Sequence, residues 1–198
     1  MNCKNREMFI TTGSNFGLFR AGLFETGEQI GEIFEVYTGL FKRLVHATVF
    51  RQLFPIKVKL RIKNLTFDTL YVVRDNIFSV KRNSYFLKDS YESVLYEYRI
   101  PGLKSFLKSN LFKPFRAAEI TDSTGNVIFI LKSSFGARKY DLFLSYSEED
   151  RIAHIELETS LITFGRIKGF IRLFSDNETY MLITLFCAIV LMLMKQKR

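Results

Sequence analysis

Only two histidines occur in the chain, His46 and His154, and neither has a cysteine or a pair of carboxylates at the short spacings that build a zinc site. No metal and no other cofactor is expected. His154 alternates with apolar neighbours, which places it on the outer, half-exposed face of a strand. Gly13-Ser14-Asn15-Phe16-Gly17 looks like a nucleophile elbow only in outline, because its serine is off-centre; no glycine-rich phosphate loop with a lysine occurs elsewhere. It reads as a turn. Glu148, Glu149 and Asp150 could gather a cation, but charges at a hairpin tip are ordinarily solvated. The sequons at Asn64 and Asn177 matter only in a secreted chain. No catalytic residue emerges, and the chain reads as non-enzymatic.

One constellation is different. Ile56-Lys57-Val58-Lys59-Leu60-Arg61-Ile62-Lys63 alternates without a fault, so a strand here buries Ile56, Val58, Leu60 and Ile62 and turns Lys57, Lys59, Arg61 and Lys63 to the opposite face. Four cations on one face at ~3.3 Å per residue make a ridge about 20 Å long. Packed like charges repel, so the ridge needs either an anionic ligand or acidic side chains from neighbouring strands. Its blander role is protection of a strand edge or a solvated face. Arg166 and Lys168 would extend the patch if their strand lies close. The net charge of +9 is concentrated here: from Val36 to Phe67 there is no Asp or Glu, while Lys42, Arg43, Arg51, Lys57, Lys59, Arg61 and Lys63 all fall inside. Such a balance attracts nucleic acid, anionic lipid or acidic protein.

The elements that must hold this ridge are strands. Val94, Tyr96, Tyr98 and Ile100 alternate with Leu95, Glu97 and Arg99, and Ala153, Ile155 and Leu157 alternate with His154, Glu156 and Glu158. Val127 to Leu131 is a continuous apolar run, as in a strand buried on both faces. Turns are expected at Glu25-Thr26-Gly27-Glu28, Asp89-Ser90-Tyr91-Glu92, Asp122-Ser123-Thr124-Gly125-Asn126 and Ser147-Glu148-Glu149-Asp150. The irregular likeness of these units suggests an antiparallel meander and not a tandem repeat. Gly39 to Phe54 fits neither period, and Leu103, Phe106, Leu107 and Leu111 suggest a short basic amphipathic helix between Pro101 and Pro114. With 21 Phe, 9 Tyr and no Trp, the interior must be filled by phenylalanine and branched aliphatics, which suits strands.

From Tyr180 to Met194 the chain is apolar except for Thr184, and Ser175 followed three residues later by Glu178 offers a capping box. Lys195, Lys197 and Arg198 then place cations at the negative end of the helix dipole. A helix apolar on every side is buried all round, in protein or in lipid. Fifteen residues at ~1.5 Å each cover roughly 22 Å, short of a hydrocarbon core of ~30 Å. Burial in protein is the first expectation; a membrane anchor through residues 180–194 is the alternative. A helix ~10–12 Å across needs a barrel of more than eight strands. The expected fold is therefore all-β with one helix: one domain over residues 1–198, about twelve antiparallel strands from about 7 to 174 closed around a helix from about 177 to 195. The N-terminus lacks an apolar signal segment, and Cys3 and Cys187 match no disulfide framework, so a cytoplasmic location, peripheral at a membrane, is expected.

Ile171-Arg172-Leu173-Phe174-Ser175-Asp176-Asn177-Glu178 followed by Tyr180–Met194 resembles the close of the tubby C-terminal, phospholipid scramblase and LURP-one-related superfamily. There a last strand leads through a polar cap into an apolar helix threading a twelve-stranded barrel. The stretch from Ala118-Glu119-Ile120-Thr121-Asp122 to Gly125-Asn126-Val127-Ile128-Phe129-Ile130-Leu131-Lys132 is similar in layout. The chain lacks the proline-rich N-terminus and the cysteine cluster of animal scramblases. The resemblance implies a barrel that engages anionic phospholipid or a membrane surface; a tail-anchored protein with a scramblase-like lipid role is the alternative it leaves open. Nucleic acid ranks third, because the ridge has no aromatic residues interleaved with its cations for base stacking.

Overall fold

The computed structural model of the chain describes residues 6–12, 19–36, 55–63, 69–74, 84–100, 115–133, 138–159 and 167–195. Twelve strands run in sequence: β1 (Arg6–Thr12), β2 (Arg20–Glu25), β3 (Glu28–Glu35), β4 (Ile56–Ile62), β5 (Leu70–Arg74), β6 (Ser84–Lys88), β7 (Val94–Arg99), β8 (Phe115–Asp122), β9 (Val127–Ser133), β10 (Lys139–Leu144), β11 (Ser147–Thr159) and β12 (Ile167–Leu173). Each pairs antiparallel with its sequence neighbours, and β1 closes the cylinder against β12. Closure removes every exposed edge, so the ridge is not an edge guard. Thr12 seals the seam, its hydroxyl accepting from the Ile167 amide at 2.8 Å and donating to the Ile167 carbonyl at 3.2 Å. The segments Gly13–Gly17, Gly39–Phe54 and Pro101–Pro114, together with Cys3, His46, Asn64 and Arg166, lie outside the described residues.

The axis of the barrel is filled by α1 (Glu178–Lys195), with Met181 to Leu193 all buried. Inward side chains from the surrounding strands, such as Met8, Val58, Leu87, Ile120 and Ile155, form one core with it. Phe186 meets Tyr98 edge-on at 6.2 Å between ring centroids, and Tyr180 meets Phe129 at 5.8 Å. The helix is 18 residues long, three more than the apolar run, so at ~1.5 Å per residue it reaches about 27 Å. By length and mean hydropathy it is able to cross a membrane. Burial on every side, and not shortness, is what identifies it as a core helix here. Its N-cap differs from the expected one. The helix opens at Glu178, and Asn177 supplies the cap, its side-chain oxygen accepting from the Thr179 amide at 2.8 Å. The Ser175 hydroxyl instead accepts from the Asn177 amide at 3.2 Å.

Three of the four expected turns stand where the sequence puts them. Thr26 and Gly27 both take positive φ, 49° and 88°, which matches the right-handed twist of the flanking β2 and β3. The fourth lies earlier, at Ser145 and Tyr146. The Ser145 hydroxyl donates to the Val127 carbonyl at 2.6 Å and its amide to the Ile128 carbonyl at 2.8 Å, tying the turn to β9. Leu144 then pairs with Ser147 while Phe143 pairs with Arg151, so Glu148, Glu149 and Asp150 form a bulge in β11 and not a turn.

Candidate functional site

The basic strand is β4, and its burial alternates as the sequence requires, with Ile56, Val58, Leu60 and Ile62 inside. Lys57, Lys59 and Arg61 lie on the outer face, and Lys63 follows exposed at the strand end. β3 approaches β4 closely because Gly31 has no side chain: a Cβ there would stand 2.6 Å from the Arg61 carbonyl oxygen. A depression of about 500 Å³ opens at this end of the ridge, lined by Gln29, Gly31, Glu32, Arg61, Ile62 and Lys63.

Two of the four cations have acidic partners from beyond the acid-free window. Arg61 meets Glu32 on β3 at 3.4 Å, and Lys57 meets Glu92 of the β6–β7 turn at 2.8 Å. The second contact crosses β5 and brings that turn over the outer face. Lys57, with Lys88 beyond it, holds the Glu92 carboxyl below the usual carboxylate range. Lys59 and Lys63 have no carboxylate partner among the described residues.

Register between strands adds what the ridge alone lacks. Arg20 on β2 stands opposite Phe34 on β3, Phe34 opposite Lys59, Lys59 opposite Tyr71 on β5, and Tyr71 opposite Lys88 on β6. Cation and aromatic ring alternate across five neighbouring strands, about 19 Å at ~4.8 Å per strand. Within β4 itself no aromatic residue interleaves with the cations, as the sequence indicates; the rings come from the adjacent strands β3 and β5. These rings are already capped by the protein's own cations. Lys57 and Lys59 lie 4.3 and 5.8 Å from the Tyr71 centroid, and Arg61 lies 5.6 Å from that of Phe34.

Lys168 does not join this face. It sits exposed on β12, opposite Thr11 on β1 and Glu158 on β11, and three strands separate β12 from β4. His154 lies between two carboxylates on the far wall, its Nδ1 2.8 Å from Asp141 and its Nε2 3.9 Å from Glu156. Glu149 and Asp150 are exposed in the β11 bulge. Among the described residues no group of three or more His, Cys, Asp or Glu is arranged to hold a metal ion.

No family model matches the sequence, and no curated protein matches it. Among solved structures, an X-ray structure of a protein from Arabidopsis thaliana superposes with a TM-score of 0.55, covering 99% of this chain and 93% of that chain at 11% sequence identity. That likeness is one of overall fold.

Proposed function

We propose that this barrel is a non-enzymatic module that binds anionic phospholipid at a membrane surface through the outer face of β2 to β6. The reading is carried by the row Arg20, Phe34, Lys59, Tyr71 and Lys88, in which cations supply attraction to phosphate and the rings, capped by neighbouring cations, hold those charges on one face. The resemblance to the tubby, scramblase and LURP-one-related superfamily points the same way. The face would act from the cytoplasmic side, with the protein peripheral to the bilayer. Nucleic acid ranks second, since stacking a base on Tyr71 would first displace Lys57 and Lys59 from its ring.

Cosedimentation with phosphatidylcholine vesicles, with and without phosphatidylserine, tests the proposal. The protein should bind only the anionic vesicles and release them as salt rises. Each surface Lys or Arg near an anionic leaflet contributes ~1 kcal/mol. Counting only Lys59 and Lys63, which have no acidic partner, the combined Lys57→Glu, Lys59→Glu, Arg61→Glu and Lys63→Glu variant should lose at least about 30-fold in affinity. Glu92→Gln, which releases Lys57, should bind more tightly. Binding that ignores both salt and the quadruple change, or an affinity for RNA well above that for vesicles, would refute the lipid reading.

A further inference from the structure

Among the described residues, few large apolar side chains stand fully exposed on the outside of this barrel. Only Phe9, Tyr91, Val94 and Tyr146 are exposed among the described residues, and two of them share the β6–β7 hairpin: Tyr91 at 88% and Val94 at 36%. Tyr91 is held out on an ordered tip. The Asp89 carboxylate accepts from the amides of Tyr91 and Ser93, each at 2.9 Å, and the Glu92 amide donates to the Asp89 carbonyl at 3.2 Å. Five residues are thereby locked around a ring that makes no core contact.

The same hairpin borders the cationic face. Val94 stands opposite Lys88, which stands opposite Tyr71, and Glu92, next to Tyr91, reaches Lys57. A phenol on a hairpin whose Glu92 reaches Lys57 and whose Val94 stands opposite Lys88 combines an apolar ring, a wet hydroxyl and cations on the same hairpin border, the chemistry that seats side chains in the interfacial layer of a bilayer. A soluble polyanion without bases, such as polyphosphate, would engage the cations and gain nothing from the ring. The two kinds of ligand are therefore separable at this one residue.

We infer that Tyr91, with Val94 beside it, enters the headgroup layer of an anionic bilayer while Lys59 and Lys88 take its phosphates. The inference rests on the anionic-lipid reading above and narrows its ligand to an assembled bilayer. Glu92 remains paired with Lys57 at the edge of the contact.

Because the chain contains no tryptophan, Tyr91→Trp installs a single indole at a site that is 88% exposed. With vesicles of phosphatidylcholine and phosphatidylserine, its emission should shift to the blue and be quenched by lipids brominated high on their chains. Inorganic polyphosphate, at concentrations that compete for the same face, should leave the emission unmoved. Tyr91→Ser should weaken vesicle binding about fivefold without changing polyphosphate affinity. If the protein cosediments with vesicles while the indole stays at its solvent-exposed wavelength, the inference is overturned and the lipid reading survives. If polyphosphate binds and vesicles do not, both are overturned together.

Discussion

A chain ending before Asn177 is expected not to fold. Its barrel would retain every strand and lose the thirteen consecutive buried residues from Met181 to Leu193 that occupy the axis. Twelve hydrogen-bonded strands fix the circumference, so the wall is unable to close over a vacancy ~10–12 Å wide. Inward side chains such as Val58, Leu60, Ile155 and Leu157 would then face water. Phe186→Ala reads the same physics in a chain that keeps its helix. The ring is wholly buried and packs edge-on against Tyr98, so its removal should cost about 3–5 kcal/mol in urea denaturation. An anchoring helix would predict the reverse, a soluble truncated domain with a cooperative transition and a Phe186→Ala protein as stable as the parent. Either result would break the architecture described above.

How far the sequence reveals this molecule depends on whether a feature belongs to one strand or to several. Alternation within β4 and β11 is local, and there the inward residues Val58, Leu60, Ala153, Ile155 and Leu157 are legible directly. Run-type patterns are nearly as clear: in β9 Phe129 and Leu131 face the core while Ile130, on the other side, is only 2% exposed. In β7 the same reasoning fails at one point. Val94 shares the parity of Tyr98, yet Lys88 pairs with Val94 while Leu87 pairs with Tyr96, and this irregularity leaves Leu95 without an opposite number. The parity changes there, and Val94 emerges on the outer face.

The candidate site lay mostly beyond such reading, because it is made by register. Phe34 and Tyr71 lie far apart in the chain and flank Lys59 only once β3, β4 and β5 are aligned. Glu32 and Glu92 stand outside the acid-free window, so their pairing with Arg61 and Lys57 is invisible in a charge count. Local alternation placed Lys57, Lys59 and Arg61 on one face; only the order of strands shows that Lys168 is remote from it. The helix N-cap illustrates a smaller ambiguity. Ser175 and Asn177 both precede an apolar run, and asparagine serves as well as serine in that position, so spacing alone does not choose between them.

Cys187 offers the other large effect, since it lies on the buried helix, wholly enclosed. Burial pushes its thiol well above the ordinary range, because a thiolate has no solvation inside the barrel. Folding therefore retains the proton: this contribution to stability is complete below the unfolded thiol's value of ~8.5 and declines as pH rises past it. In a Cys3→Ser background, labelling by a water-soluble disulfide reagent must await opening of the barrel, and should run at least ~10³-fold slower in buffer than in denaturant. Saturating anionic vesicles ought to leave that protection unchanged, because a ligand held on the outer face of β4 has no need to disturb the axis. Loss of protection when vesicles are added would mean that the helix leaves the barrel on binding, and that the contact with lipid is made by the core itself.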